Sequence, residues 1–443
     1  MHQKLAAAHL AESLKSRATR EIAVEMAALI RSGAIAVGTQ LPAVRELAQA
    51  LGVSPATISA AWSELKRNRV IDGRGRNGVW VCGNKPSPRP ARFENVGNFG
   101  KLTVTDLTYA APDPALLPDL TLALQHGART PQLNSYQREP ISAALRAAAA
   151  ARWPYPAAAF MATNGGFDGL QATLQALLMP GSTVAIEDPT TVRLLDLLDN
   201  LGAHVLPVRC DEQGPISASL RDALKHKPAA FIYQPRTHAV TCHSVSPARM
   251  AELASVLADS ETLIIEDDGI GDVSLQPAVS LGNHYPQRCV HVVSYSKSLG
   301  PDLRLAVLSA PQELVEQIQA WRNFGASWTS RILQDAAAWM LADSATLASI
   351  ARAREAYCER RQTLIAALQQ RGIRIAGQDG LSVWIAVPSE QFALVTLAVH
   401  GYAVFHGARF SLTPDPHIRV STSLPIHNID ALADAIALCM DAI

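Results

Sequence analysis

The stretch VVSYSKSLGPDLRLAVLSAP, residues 292–311, decides how this chain is read. It begins inside an apolar run, 290–293, of the kind that forms a buried strand. A serine-rich turn follows, Ser294-Tyr295-Ser296-Lys297. A lysine there, at the carboxyl end of a strand, stands where open α/β sheets bind their ligands. Outward from it, short apolar runs at 183–186, 204–208, 230–233 and 263–265 alternate with helical patterns such as 166–179 and 246–258. The alternation predicts an α/β domain with a mostly parallel sheet. No internal repeat is visible.

Two further segments fall at chemically useful places. Glu266-Asp267-Asp268 follows the 263–265 run. Thr163-Asn164-Gly165-Gly166-Phe167-Asp168 precedes a helix, whose free amides suit a phosphate. A lysine, a strand-end carboxylate and a glycine-rich helix start are the parts that pyridoxal phosphate requires. The lysine forms the Schiff base, the carboxylate keeps the pyridine nitrogen protonated, and the amides hold the phosphate. Each part alone has an ordinary reading, a surface lysine or a common helix start; the conjunction carries the argument.

The first 84 residues have a different character. They carry eleven Lys and Arg against six Asp and Glu, a net +5, while the remainder is −5. A small basic unit joined to a larger acidic one suggests an anionic partner for the first part. Leu14, Ala18, Ile22, Met26 and Ile30 repeat at helical spacing up to Gly33, and 38–42 reads as a loop. A second short helix, 43–51, ends at Gly52. Ser54-Pro55 opens a third, with Ser as cap and Pro at the first helical position. Two short helices around a glycine turn have the shape of a helix-turn-helix. Residues 70–71 and 79–81 then read as a two-stranded wing with the basic tip Gly73-Arg74-Gly75-Arg76. With the third helix in a major groove, Ser54, Ala56, Thr57 and Ser59 meet bases, and Arg45, Arg74 and Arg76 reach phosphates or a minor groove.

Composition limits the alternatives. The chain has 443 residues, long enough for two or three domains at roughly 100–200 residues each. Its Lys+Arg and Asp+Glu counts are equal, and 48% of residues are apolar. That excludes a strongly basic chain and an acidic disordered one. Six cysteines without a C-x-x-C pair suit a reducing compartment. The start is too charged for a signal peptide, and no long apolar run predicts a membrane span. A soluble, cytoplasmic protein is expected.

The segment LPAVRELAQALGVSPATISAAWSELKRNRVIDGRGRNGVWV, 41–81, resembles the winged helix-turn-helix of GntR-type bacterial regulators. The larger part resembles fold-type-I aminotransferases, and the whole chain resembles the MocR subfamily, in which the two are fused. Supporting stretches are APDPALLPDL (111–120), YQPRTHAVT (233–241) and NFGASWTSRILQD (323–335). The resemblance implies a winged helix-turn-helix over 1–82, a linker over 83–105 and an aminotransferase-like domain over 106–443. The last is α/β, with a mostly parallel sheet and a smaller C-terminal α+β part.

By position, Lys297 matches the Schiff-base lysine, and Ser294 and Ser296 the phosphate-side serines. Arg304 matches the phosphate-binding arginine, and Gly166 and Phe167 the backbone-amide cradle. Asp267 matches the pyridine-nitrogen partner, with Asp268 as second choice. Tyr136 matches the tyrosine that reaches the neighbouring subunit's phosphate, which implies a homodimer. Arg419 matches the arginine that binds an amino acid's carboxylate.

Departures from the family pattern temper the expectation of catalysis. Glu187-Asp188-Pro189 is followed by Thr190-Thr191 where the family has a ring-stacking aromatic. Ala239 replaces a loop Asn that bonds the cofactor's phenolic oxygen, Ile270 replaces a Tyr, and Pro55-Ala56 replaces an Arg after the helix cap. The expected function is a transcription regulator that binds double-stranded DNA and senses pyridoxal phosphate or an amino compound, in vitamin B6 or amino-acid metabolism. A cofactor-free dimerisation body and an active aminotransferase are the alternatives.

Three other groups invite ordinary readings. His238, Cys242 and His243 lack a fourth ligand, so no metal site is expected. Trp321, Phe324 and Trp328 read as core. Arg352, Arg354, Arg360 and Arg361, near Glu355 and Glu359, read as a solvated, self-paired helix face.

Overall fold

The computed structural model describes residues 4–68, 70–73, 78–82, 90–94, 104–377, 379–413 and 415–441. The chain divides into two compact units. One is Met1–Glu94 with Met179–Ser182 and Asp196–His204; the other is Asn95–Leu178, Thr183–Leu195 and Val205–Ile443.

The N-terminal region packs four helices, Ala7–Ser13, Thr19–Arg31, Val44–Leu51 and Pro55–Arg67, around Leu10, Leu14, Ile22, Met26, Leu47, Ile58, Trp62 and Leu65. The helix expected to run from Leu14 is interrupted. Leu14 is extended, and Lys15 and Ser16 give their amides to the Glu25 carboxylate instead of to a helix. Gly52 takes the left-handed conformation that ends one helix, at φ 68°. Ser54 Oγ accepts the Thr57 amide and starts the next. The expected loop at 38–42 contains an edge strand, Gln40–Leu41, which pairs with Val79–Val81. With Ile71–Asp72 on its other side, the expected two-stranded wing becomes a three-stranded antiparallel sheet. The wing tip, with Arg74 and Arg76, and most of the 83–105 linker lie outside the described residues; Ala91–Glu94 is one helical turn.

The larger part is built on an eight-stranded sheet. Its strands lie in the order Ala159–Thr163, Ala306–Ala310, Cys289–Ser294, Leu263–Asp268, Ala230–Tyr233, Thr183–Asp188, His204–Asp211, Gly214–Pro215. Cys289–Ser294, Leu263–Asp268, Ala230–Tyr233 and Thr183–Asp188 are parallel, and Ala306–Ala310 runs against both its neighbours. The central strands are buried on both faces, as their unbroken apolar runs require. The strand expected at 263–265 continues through Asp268, so the three carboxylates belong to it and alternate between faces.

A smaller sheet, Ser382–Ala386, His417–Ser421 and Phe405–His406, packs with the helices Ser344–Gln370, Glu390–Val399 and Ile429–Leu438 over a core including Leu364, Val383, Ile418 and Ile436. Among the described residues, no helix is long and apolar enough to cross a membrane.

Two expectations about surfaces are corrected. Arg352 is exposed and bonds Ser349 on its own helix, as a solvated face would, but the other three arginines of Ser344–Gln370 do not follow that reading. Arg354 donates to the Asp272 carbonyl, Arg360 pairs with Asp113, and Arg361 is buried. Phe324 is 95% exposed and Trp321 36%, so they are not core. Phe324 lies beyond the end of Gln312–Arg322, where helical spacing no longer applies.

Candidate functional site

The site grows from the parallel pair Leu263–Asp268 and Cys289–Ser294. Register places Asp267 beside Val292 and Asp268 beside Val293. Alternation then separates the two aspartates. Asp268 takes the Arg236 guanidinium at 3.3 Å and the Gly271 amide at 3.0 Å. Asp267 turns to the face where the helix Gly166–Leu177 begins. A Cβ on Gly166 would lie 3.2 Å from Ser294 Cβ and 3.9 Å from Asp267 Oδ1. Burial, then Asp268 and Glu187, push the Asp267 carboxyl up to about 7.

The helix start itself is built for close approach. Gly165, its cap, has φ 95°, and a Cβ there would sit 3.0 Å from Arg304 Nη2. Arg304 is itself left-handed, at φ 47°, and donates to the Asn164 carbonyl at 3.0 Å. Ser294 and Ser296 share a hydrogen bond of 2.9 Å. Arg304 and Ser294 thus lie close to the helix start, where a Cβ at Gly165 or Gly166 would crowd them. An anion such as phosphate fits such a place.

Lys297 stands at the end of the same turn and donates to the Ala110 carbonyl. Burial and the Arg419 charge lower its ammonium to about 8. Arg419 is buried on the strand His417–Ser421. It donates to the Thr108 carbonyl at 2.5 Å and lies 4.7 Å from the Phe410 ring centroid. Burial lowers it to about 10. Among the described residues its Nε has no partner and no carboxylate pairs with it. A buried guanidinium without a counter-charge is costly, and a carboxylate ligand would relieve it.

Of the residues expected here, Ser294, Arg304 and Asp267 lie close to the Gly165-Gly166 helix start, Ser296 bonds Ser294, Phe167 follows Gly166 in the helix, and Lys297 lies farther along the turn, where the Arg419 charge acts on it. Tyr136 stands apart. It is 87% exposed, with its ring edge-on to Trp328 at 6.0 Å. At the departures, the Thr190 amide donates to Phe410, and the Ala239 amide to Gln234. His238, Cys242 and His243 have separate partners. His238 Nδ1 accepts the Thr241 amide, Cys242 Sγ donates to Ser382, and His243 Nδ1 bonds the Asp211 carbonyl.

One residue was missed from the sequence. Arg193, in the first turn of Val192–Leu201, holds its guanidinium 4.1 Å from the Phe167 ring centroid. Its charge also pulls against the rise of Asp267. Its position two residues after Thr191 was the only available signal. On the other face of the sheet, a cavity of about 240 Å³ is lined by Arg152, Arg236, Asp268, Asp272 and Tyr295.

In the N-terminal region, Arg45, Ser54 and Ser59 are exposed and Thr57 is half-buried. Ser54 Oγ is already engaged, by the Thr57 amide at 3.1 Å and by Thr57 Oγ1 at 2.8 Å.

Comparison with known proteins agrees with both halves. Residues 18–81 match the gntR family of bacterial regulatory proteins, and 99–436 match aminotransferase class I and II. The chain belongs to both families, fused in the MocR arrangement. It is 34% identical to the vitamin B6 salvage pathway transcriptional repressor PtsJ of Salmonella typhimurium, over 89% of this chain and 91% of that one. It is 29% identical to the HTH-type transcriptional regulator TauR of Rhodobacter capsulatus, over 81% and 82%. Among solved structures, an archaeal alanine:glyoxylate aminotransferase superposes with TM-score 0.70 at 21% identity, over 79% of this chain and 93% of that one. The Thermus thermophilus aspartate aminotransferase with maleate gives 0.70 at 20%, over 80% and 97%. These last two establish the fold of the MocR body: that of fold-type-I aminotransferases.

Proposed function

We propose that this MocR chain is a transcription regulator whose aminotransferase-like domain takes pyridoxal 5'-phosphate at Lys297, as cofactor or effector. Residues 1–82 serve as the DNA-binding head, 83–105 as linker and 106–443 as the sensing and dimerising body. The reading is supported by the nearness of Asp267, Ser294 and Arg304 to one glycine-built helix start, with Lys297 three residues beyond Ser294 in the same turn. When bound, the cofactor supplies an aldehyde that condenses with amines and a ring that withdraws electrons.

The chain's own residues do the rest. Ser294, Ser296, Arg304 and the amides of Gly166 and Phe167 hold the phosphate. Lys297, lowered to about 8, is about one-tenth neutral at pH 7, enough to attack an aldehyde. Asp267 would hold a proton on the ring nitrogen. Arg419 offers its unpaired charge to the carboxylate of an amino compound. Binding of such a compound beside Lys297 would change the equilibrium between body states, and with it DNA binding. The name of PtsJ supports vitamin B6 metabolism as the regulated process.

A cofactor-free body used for dimerisation is the second reading, favoured by Thr190-Thr191 and Ala239 at positions of lost cofactor contacts. Efficient transamination has the least support for the same reason. The visible absorption spectrum during titration with pyridoxal phosphate tests the proposal. A band is expected in the wild type and not in Lys297→Ala. No band at saturating cofactor would leave the cofactor-free body. Operator binding with and without cofactor then reads out the sensing step.

A further inference from the structure

The cavity of about 240 Å³ on the reverse face of the sheet stands back to back with the candidate cofactor site. Asp268 lines it and is the chain neighbour of Asp267; Tyr295 lines it and lies between Ser294 and Ser296. Its volume holds about eight waters at ~30 Å³ each, or one six-membered ring with a short polar arm. Four charges line it as a ladder. Asp268 meets Arg236 at 3.3 Å, Arg236 stands 3.7 Å from Asp272, and Asp272 meets Arg152 at 2.9 Å. The ladder is uneven. The side chains of Asp268, Arg236 and Asp272 are at most 13% exposed, whereas that of Arg152 is 37% exposed. Water screens the outer cation, so two sequestered carboxylates share one sequestered guanidinium. Arg236 also directs its Nε to the Gln276 carbonyl, and Arg354 donates to the Asp272 backbone carbonyl rather than to its carboxylate. Burial raises the Asp268 carboxyl in spite of Arg236, as a shortage of positive charge does.

Two further features point to a ligand rather than to a closed ion-pair network. Tyr295 is 5% exposed, and among the described residues its hydroxyl has no hydrogen-bond partner, although the charges of Asp272, Arg152 and Asp268 all act on it. A buried hydroxyl on a cavity wall calls for a partner. Trp153, whose Nε1 donates to Ser309 at 2.8 Å and whose ring stands edge-on to Phe160, gives the cavity a fixed aromatic wall. We propose that this cavity is a second small-molecule site, taking a ring-bearing organic cation, an amidine or an amine, with its charged head between Asp268 and Asp272 and its ring against Trp153. The head supplies the missing positive charge. Its N–H groups reach the lone pairs that Arg236 and Arg152 leave open on the two carboxylates, and the Tyr295 oxygen accepts a further one. The indole adds attraction for a cation beside its face. The site shares no residue with the cofactor pocket, so it stands or falls apart from the cofactor reading.

Benzamidine is the probe, because its planar amidinium pairs with a carboxylate as a guanidinium does. Calorimetric titration of the full-length protein is expected to show one site with a dissociation constant of about 1 mM or tighter, and thermal unfolding to move upward with the probe. Benzoate and benzyl alcohol, of similar size but anionic and neutral, should bind at least about ten-fold more weakly. Asp272→Asn removes one carboxylate charge, and Ala278→Leu fills the cavity from its wall. Each is expected to weaken benzamidine at least about ten-fold. Arg152→Gln, which removes the outer cation, is expected to tighten it about three-fold or more. A gain in affinity does not come from a damaged fold, so Arg152→Gln keeps the test decisive even where the other variants melt early. Four results would each overturn the proposal and leave a structural ion-pair ladder: no benzamidine binding at millimolar concentration, benzoate binding equally well, an affinity that Asp272→Asn and Ala278→Leu leave unchanged, or no tightening in Arg152→Gln.

Discussion

Asp267 is the residue where function and stability oppose each other. It is buried, held up near 7, and its unfolded value is the ordinary 3.8. Between those values the folded chain keeps a proton that the unfolded chain has released. The fold is thus most favoured below about pH 4, and that advantage is lost as pH rises through about 7. Above pH 7 the ionised carboxylate is a full burden on the cofactor-free protein. Asp267→Asn is expected to stabilise that form by ~1–4 kcal/mol at pH 8 and to have little effect at pH 4. It should also weaken pyridoxal phosphate binding. Thermal unfolding at the two pH values, beside cofactor titration, measures both; equal unfolding shifts at pH 4 and 8 would refute the argument. Glu266, one residue away, shows the contrast. It is equally buried, but hydrogen bonds from His291, Ser280 and Tyr233 outweigh burial and hold it below its usual value. The sequence shows three consecutive acids; the pleat gives each a different environment.

At the scale of elements, the start of Gly166–Leu177 carries the most specific demand. Gly165 combines positive φ with the close approach of Arg304. Gly165→Ala is expected to cost ~1–3 kcal/mol and to weaken phosphate binding at least about ten-fold, because the Cβ strains the turn and pushes Arg304 aside. Gly181→Ala, also at positive φ but with nothing near its Cβ, is the control. It should share only the backbone cost and keep cofactor affinity. The recognition helix offers a similar separation. Ser54→Ala removes a cap, costing ~1 kcal/mol of head stability, and would also remove a hydroxyl from the proposed DNA contact. Ser59→Ala should leave melting unchanged and alter operator preference alone. Gel shifts at a temperature well below melting distinguish the two.

For the whole molecule, the exposed aromatics are the notable feature. Tyr136, Phe324 and Trp321 are exposed, and they suit the homodimer proposed above, in which Tyr136 would serve the neighbouring subunit. Phe324→Asp is expected to move the protein toward monomer in sedimentation and, through Tyr136, to weaken cofactor binding. A variant that stays dimeric would place the interface elsewhere. A dimer also presents two heads, so operator half-sites should follow its spacing.

The sequence by itself determined the order of parts. A 3.6-residue period, a Ser-Pro helix start and a basic hairpin identify a winged helix-turn-helix, and alternating apolar runs identify an α/β body. Those signals are local, and local physics decides them. Lys297, Ser294, Asp267 and Gly166 could be singled out from the sequence because each stands at or just beyond a strand end or helix start, where open α/β sheets offer a ligand site. Tertiary structure decided what lies across the chain. It broke the helix expected from Leu14, because Glu25 takes the amides of Lys15 and Ser16. It made Gln40–Leu41 a strand, because Val79–Trp80 offers an open edge. It sent Arg354 and Arg360 to distant partners, and it set Arg193 on Phe167. A long cationic side chain reaches many partners from one backbone position, so its role is fixed by what the fold brings within that reach.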